Sequence, residues 1–418
     1  MSVIDSWFGL LNEYVALRLT AVTRIKWFLR RVSVVGVSFP SMGERLSLVE
    51  QNRALLARQG LLERWRAPLP EVVEAIGALQ AQQWGALPVA LWSRMHDFET
   101  ESLYSAFERQ ELVAGQFLRG TLHAVTAREQ PAYSMVVQDG GLNAWQRTKA
   151  ESSPRAEELR EALRKFTDGV TRTVEETCVF IEDWVRANPG AIADEEAQFQ
   201  RERKWRPFRA TSDFMRWPAK GEWGSRTPEA FRAAPCPPGR GPGSAEALET
   251  VVRCHIRAFG PVTAEDTAYW MGWKVPPVRK VLEAQGDLLR FTDEAGRTLY
   301  DLPDAPRPDA ETGAPARFLA PFDSVLLAYE AKRRQRVLPD EHRAAVYMKA
   351  NLRVLPTFLV DGLVAGLWGS EAKRGEAVLT LRPFGKITKA ARRELEEEGE
   401  RLVRVLHPRA KSRHIAVS

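Results

Sequence analysis

Glutamines crowd one short stretch of this chain: Gln80, Gln82 and Gln83 stand beside Trp84 in GALQAQQWG, Gly77 to Gly85. A glutamine amide does not titrate. Its oxygen accepts hydrogen bonds and its nitrogen donates them, so a pair of amides can hold a water and stabilise developing positive charge without keeping a proton. Taken alone, such a cluster is also what a solvated helix face looks like. The stretch closes an apolar helical pattern, and positions i and i+2 of a helix point about 200° apart. Gln80 and Gln82 therefore meet one ligand only if the helix ends or tightens between them, and Gly85 and Pro88 supply such an ending.

Other chemistries lack their residues. There is no GxxxxGK[ST], no GxGxxG after a strand, no GxSxG, no evident acid pair, and no glycine-rich hairpin between helices followed by Lys and Asp. The three cysteines, Cys178, Cys236 and Cys254, stand far apart, and the six histidines form neither HExxH nor HxH. That usage fits a reducing compartment and argues against a disulfide framework, a metal or any other cofactor.

The elements that must position the glutamines can be read around them. Ser47 and Glu50 have capping-box spacing, and Leu48, Leu55 and Leu56 follow as an apolar face, with Gly60 at the helix end. Pro68 and Pro70 open a second helix carrying Val72, Val73, Ile76 and Leu79 on one side. A third helix is expected over 103–112, then a strand over 115–124. A further helix is expected over 173–186, ended by Asn188-Pro189-Gly190, and the loop 233–244 reads as a linker. Helices over 245–259, 263–271 and 275–285, followed by two short strands around Glu294-Ala295-Gly296, make a winged helix; Lys274, Arg279 and Lys280 mark its recognition helix. Strands are expected over 318–327, 354–368 and 376–383, with a hairpin turn at Asp361-Gly362, and a closing helix over 386–406.

The fold class is therefore α+β, with tandem winged-helix units and a C-terminal small β-sheet or barrel. The expected divisions are an extension over 1–45, a winged-helix unit with the glutamines over 46–150, a basic, tryptophan-rich winged-helix unit over 151–235, a third winged helix over 245–305, and a β-domain with its closing helix over 315–410. The chain has 418 residues, room for two to four domains. In the first 42 residues the apolar run 25–37 is broken by Lys26, Arg30 and Arg31 and falls short of the roughly 18 to 20 apolar residues of a membrane span. Those residues read as an added extension, such as an upstream start codon would produce, with a membrane-surface helix as the alternative.

Charge is segregated. Net charge is +6 and the pI about 9.2. Residues 201–232 hold nine Lys or Arg against four acids and residues 331–353 hold seven against two, so each segment is net +5 and the remainder is net negative. That pattern suits a phosphate-tracking surface. The candidates for it are Lys204, Arg206 and Arg209 in the first patch and Arg333, Arg334 and Arg336 in the second. Trp205, Phe208, Trp217 and Trp223 of the first patch are placed to stack or wedge.

Three motifs in order resemble those of the AlkZ-type, tandem winged-helix DNA glycosylases: Gln80-Ala81-Gln82 as their Q-Φ-Q, Leu118 to Val125 (LRGTLHAV) as their R-G-T-x-H strand, and Pro321-Phe322-Asp323-Ser324 with Leu359 to Trp368 as their C-terminal β-domain. The resemblance spans about residues 46–410 and leaves the first 42 unmatched. A sister branch carries Asp where Gln82 stands. The resemblance implies a monofunctional glycosylase that excises N7-alkylated purines, unhooks interstrand crosslinks of the azinomycin type in DNA repair and self-resistance, and leaves an abasic site. Gln80 and Gln82 would be its catalytic pair, and Arg119 and His123 would meet phosphate or lesion. The partner would be double-stranded DNA with alkylated or crosslinked purines, bound by a cytoplasmic monomer with no membrane attachment. The alternatives are a non-catalytic winged-helix transcription regulator and a protein-binding scaffold.

Overall fold

The computed structural model describes residues 44–140, 155–235, 241–348, 350 and 352–418. The expected N-terminal extension lies outside them, apart from Glu44 and Arg45.

Helix α1 (Leu48–Arg58) starts at the Ser47–Glu50 capping box, where the Ser47 hydroxyl accepts from the Glu50 N–H and the Glu50 carboxylate accepts from the Ser47 N–H. Helix α2 (Leu69–Ile76) has Pro70 in its first turn and buries Val72, Val73 and Ile76. It ends earlier than its apolar pattern suggests. Gly77 has φ +85°, and a Cβ there would lie 3.2 Å from Ala258 and the Phe259 ring, so a left-handed glycine stops the helix against α9 (Ser244–Phe259). Leu79, expected on the helix, begins strand β1 (Leu79–Gln80) instead.

The expected strand over 115–124 is two strands, β2 (Leu112–Gln116) and β3 (Leu122–Thr126). Between them Arg119 (φ +55°) and Gly120 (φ +66°) reverse the chain in a left-handed turn. These join β4 (Phe214–Trp217) and β5 (Ala230–Ala233) in one five-stranded sheet of order β1-β3-β2-β4-β5. That sheet crosses the boundary expected between 46–150 and 151–235. Helices α3 (Leu87–Trp92), α4 (Thr100–Glu108) and α5 (Gln130–Asp139) flank its first half. α6 (Ala156–Thr167), α7 (Val174–Ala187) and α8 (Asp194–Glu202) build a smaller core with Trp205 and Phe208.

Residues 244–301 form a winged helix: α9, α10 (Ala264–Met271), α11 (Val275–Ala284) and the hairpin β6 (Leu289–Thr292)–β7 (Thr298–Asp301). Arg45 and Leu46 run beside β6. The expected strand over 318–327 is only β8 (Arg317–Leu319). After Pro321, the Asp323 carboxylate accepts from the Val325 N–H and starts a helical turn, Ser324–Leu327.

A two-residue pair, β9 (Tyr347–Met348) and β10 (Arg353–Val354), precedes β11 (Thr357–Val360), β12 (Leu363–Lys373) and β13 (Glu376–Pro383). Helix α12 (Lys389–Leu406) starts at Thr388. β14 (Ser412–Val417), unforeseen, returns parallel to β13. The C-terminal sheet, β14-β13-β12-β11-β8, is open, not a barrel. The described residues from Arg45 onward pack as one unit.

Candidate active site

Gln80 sits on β1 and pairs with His123 of β3. The Ala81 N–H donates to the Leu122 carbonyl at 2.8 Å, so the chain stays extended past Gln80. Extended backbone alternates faces, which puts residues i and i+2 on the same side. Burial follows that alternation: Leu79 and Ala81 are buried in the core shared with Trp84 and Ala124, Gln80 is half-buried and Gln82 exposed. The two glutamines thus share a side, although the helix expected to carry them ends before Gln80.

The Gln80 amide is oriented by a closed set of bonds. Thr121 Oγ1 donates to the Leu118 carbonyl, so it accepts from Gln80 Nε2 at 3.2 Å. Gln80 Oε1 accepts from the Gln82 N–H at 3.2 Å. Below, Gln59 Nε2 donates to the carbonyls of Ile76 and Ala258, tying the end of α2 to α9. Arg94 and Asp323, both wholly buried, pair at 2.7 Å beside Gln59. Trp84 anchors the turn after Gln82: its Nε1–H donates to the Gly224 carbonyl at 2.8 Å, and its ring packs with Phe107 and Trp223.

His123 is 2% exposed. Burial first, then the Arg119 charge, lowers its pKa to about 3, so the ring is neutral at ordinary pH. Arg119 is half-buried; its guanidinium donates to the Trp270 carbonyl and lies over the Tyr269 ring. Burial pushes its pKa down.

The basic patches divide. Lys204 and Arg206 are exposed, as a phosphate surface requires. Arg209 is buried: its Nε donates to the Lys204 carbonyl and its head packs on Phe231. The second patch is turned inward. Arg333 pairs with Asp266 and Glu330, Arg334 donates to the Tyr329 carbonyl and the Tyr269 hydroxyl, and Arg336 donates to the Pro261 carbonyl and Gln51. The planar fork of arginine suits several internal acceptors at once, a use that composition cannot separate from phosphate binding. Trp205, Phe208 and Trp217 are likewise core residues rather than wedges, and Trp223 is packed against Trp84 and Phe107.

Sequence reasoning missed Thr121, the hydroxyl that fixes Gln80; its signal was the threonine of Arg119-Gly120-Thr121 two residues before His123. It also missed Tyr269, exposed between Arg119 and Arg334, and the exposed Met348 and Leu352 near the β9–β10 tip. No group of three metal-ligating side chains occurs among the described residues.

A family model described as "DNA glycosylase AlkZ-like" matches residues 73–405. An interstrand DNA cross-link repair glycosylase of Streptomyces sahachiroi is 27% identical over 376 residues, 84% of this chain and 94% of that one. Among solved structures, Streptomyces sahachiroi DNA glycosylase AlkZ aligns with a TM-score of 0.68 at 24% identity, over 90% of this chain and 99% of that one.

Proposed function

The chain belongs to the AlkZ-like DNA glycosylases, and from that premise we propose that it hydrolyses the N-glycosidic bond of N7-alkylated purines in duplex DNA, interstrand crosslinks included, leaving an abasic site. The observation that carries this reading is the shared side of Gln80 and Gln82, with Gln82 open to solvent and Gln80 held by partners that are not carboxylates.

An N7-alkylated purine already bears a positive charge, so it departs as a neutral base and needs little help from a general acid. What remains is to place a water at the anomeric carbon and to stabilise an oxocarbenium-like transition state. Amide oxygens do both by hydrogen bonding and dipole. They make poor bases, so intact neutral bases react slowly.

Direct hydrolysis by amides involves no lysine nucleophile, and the enzyme is monofunctional on this reading. A crosslinked purine cannot rotate freely out of the duplex, so an open site suits it better than a closed pocket. Lys204 and Arg206 supply backbone contacts. Lys220 and Arg226, exposed on the β4–β5 loop that meets Trp84, add to them. Arg119 reaches a flanking phosphate only if its bond to the Trp270 carbonyl is given up.

The cellular setting goes with this reading: a monomer acting on DNA in the cytoplasm, in repair and in self-resistance to a crosslinking natural product of the azinomycin kind.

The test is a duplex carrying one N7-methylguanine, incubated with protein and cleaved by hot alkali at any abasic site. Strand cleavage by the wild type should fall at least ~100-fold in Gln80→Ala/Gln82→Ala, with affinity for undamaged duplex unchanged. Tight binding without cleavage of this or a crosslinked duplex would return the regulator reading, which the exposed Lys274 and Lys280 of the winged helix also suit.

A further inference from the structure

Paired residues on adjacent antiparallel strands project to the same face, so His123 stands beside Gln80. Its Nδ1 lies 2.9 Å from the Thr121 carbonyl oxygen. A carbonyl oxygen only accepts, so Nδ1 carries the proton and donates. In a neutral imidazole this leaves Nε2, the ring atom farthest from the backbone, as a bare lone-pair acceptor. Nε2 makes no hydrogen bond to a described residue. Thr121 therefore fixes two acceptors at once: its hydroxyl orients the Gln80 amide and its carbonyl sets the His123 tautomer.

We propose that His123 is a third catalytic residue, whose Nε2 accepts a hydrogen bond from the attacking water and turns a water lone pair toward the anomeric carbon. The proposal rests on the glycosylase reading above. In the step, the bond from the anomeric carbon to the purine nitrogen breaks and its electron pair stays on the base, cancelling the charge of the alkylated ring. A water oxygen bonds to the anomeric carbon, and the water's surplus proton passes to solvent. His123 orients the water and does not retain that proton, in keeping with a ring whose pKa is lowered to about 3. Arg119, the charged group whose field helps to lower it, is occupied by the Trp270 carbonyl. A neutral acceptor is what the reaction needs here, because an imidazolium beside the forming oxocarbenium would oppose it.

The measurement is single-turnover excision of N7-methylguanine by wild type, His123→Asn and His123→Gln, with the affinity for undamaged duplex and the melting temperature of each. Asparagine keeps an N–H for the Thr121 carbonyl but has no atom where Nε2 stood. Glutamine reaches that place with an amide oxygen. His123→Asn should lose roughly 10- to 100-fold in rate with affinity unchanged, and His123→Gln should recover part of the loss. A wild-type rate in His123→Asn, or equal impairment of both, would overturn the proposal. Should His123→Asn melt below the assay temperature, His123→Gln against His123→Met, of similar size but without a strong acceptor, decides: equal rates sink it. An inactive wild type would instead count against the glycosylase reading.

Discussion

At the scale of single residues, the proposed reaction uses groups that do not change charge. Gln80 and Gln82 have no proton to exchange, and His123 stays neutral far below neutral pH. The single-turnover excision rate should therefore be flat from about pH 6 to 9; a tenfold-per-unit limb in that range would reveal a titrating base and refute amide catalysis. Stability behaves differently. Burial lowers the pKa of His255 to about 4 and that of His123 to about 3, while the unfolded chain titrates near its ordinary value. The unfolded state takes up protons first. The neutral-histidine contribution is thus complete above about pH 6.5 and is lost as pH falls toward the folded values. By pH 5 each histidine should cost about 2 kcal/mol. Urea unfolding at pH 7 and pH 5 checks this, and His255→Gln should shrink the difference by its own share, about 2 kcal/mol.

At the scale of elements, the arginines of 331–336 act as latches. Arg336 joins the Pro261 carbonyl to Gln51 of α1, and Arg334 joins Tyr329 to Tyr269 of α10. Arg336→Met would leave a buried carbonyl and an amide oxygen unpaired. Thermal or urea unfolding should show a loss of about 2 to 4 kcal/mol, with no change in the salt dependence of DNA affinity. Lys204→Ala and Arg206→Ala should do the reverse, each reducing the salt slope by about one and leaving unfolding alone. A salt slope altered by Arg336→Met in a folded protein would restore the second patch to the DNA surface. The winged helix over 244–301 was legible because its signals are local: Thr263 caps its own helix, glycines and prolines end its segments, and the hairpin alternates apolar and polar residues. The turn at Arg119-Gly120 was not. Its flanks alternate like one strand, and only the left-handed backbone breaks them into two.

At the scale of the molecule, the glutamines stand where distant segments converge. Gln59 ties α2 to α9, Arg58 pairs with Asp301 of β7, and Arg94 pairs with Asp323. A chain cut after residue 235 would leave both arginines buried or half-buried without their carboxylates, and α1 without α9. Such a fragment should fail to fold, seen as loss of a cooperative melting transition by circular dichroism. A cooperative melt would mean that the first half is an independent domain.

By itself the sequence determined the candidate glutamine pair, caps or stops of several of the helices it foresaw, the winged helix and the tight turn at Asp361-Gly362. Each rests on contacts within a few residues, which a linear pattern records. Tertiary structure decided the rest. The approach of Ala258 and Phe259 to Gly77 ended α2 early, and pairing with β3 drew Gln80 and Ala81 into extended backbone, so the glutamines share a side. Whether an arginine meets phosphate or a buried carbonyl was likewise settled far along the chain, because a guanidinium serves both and only burial distinguishes them.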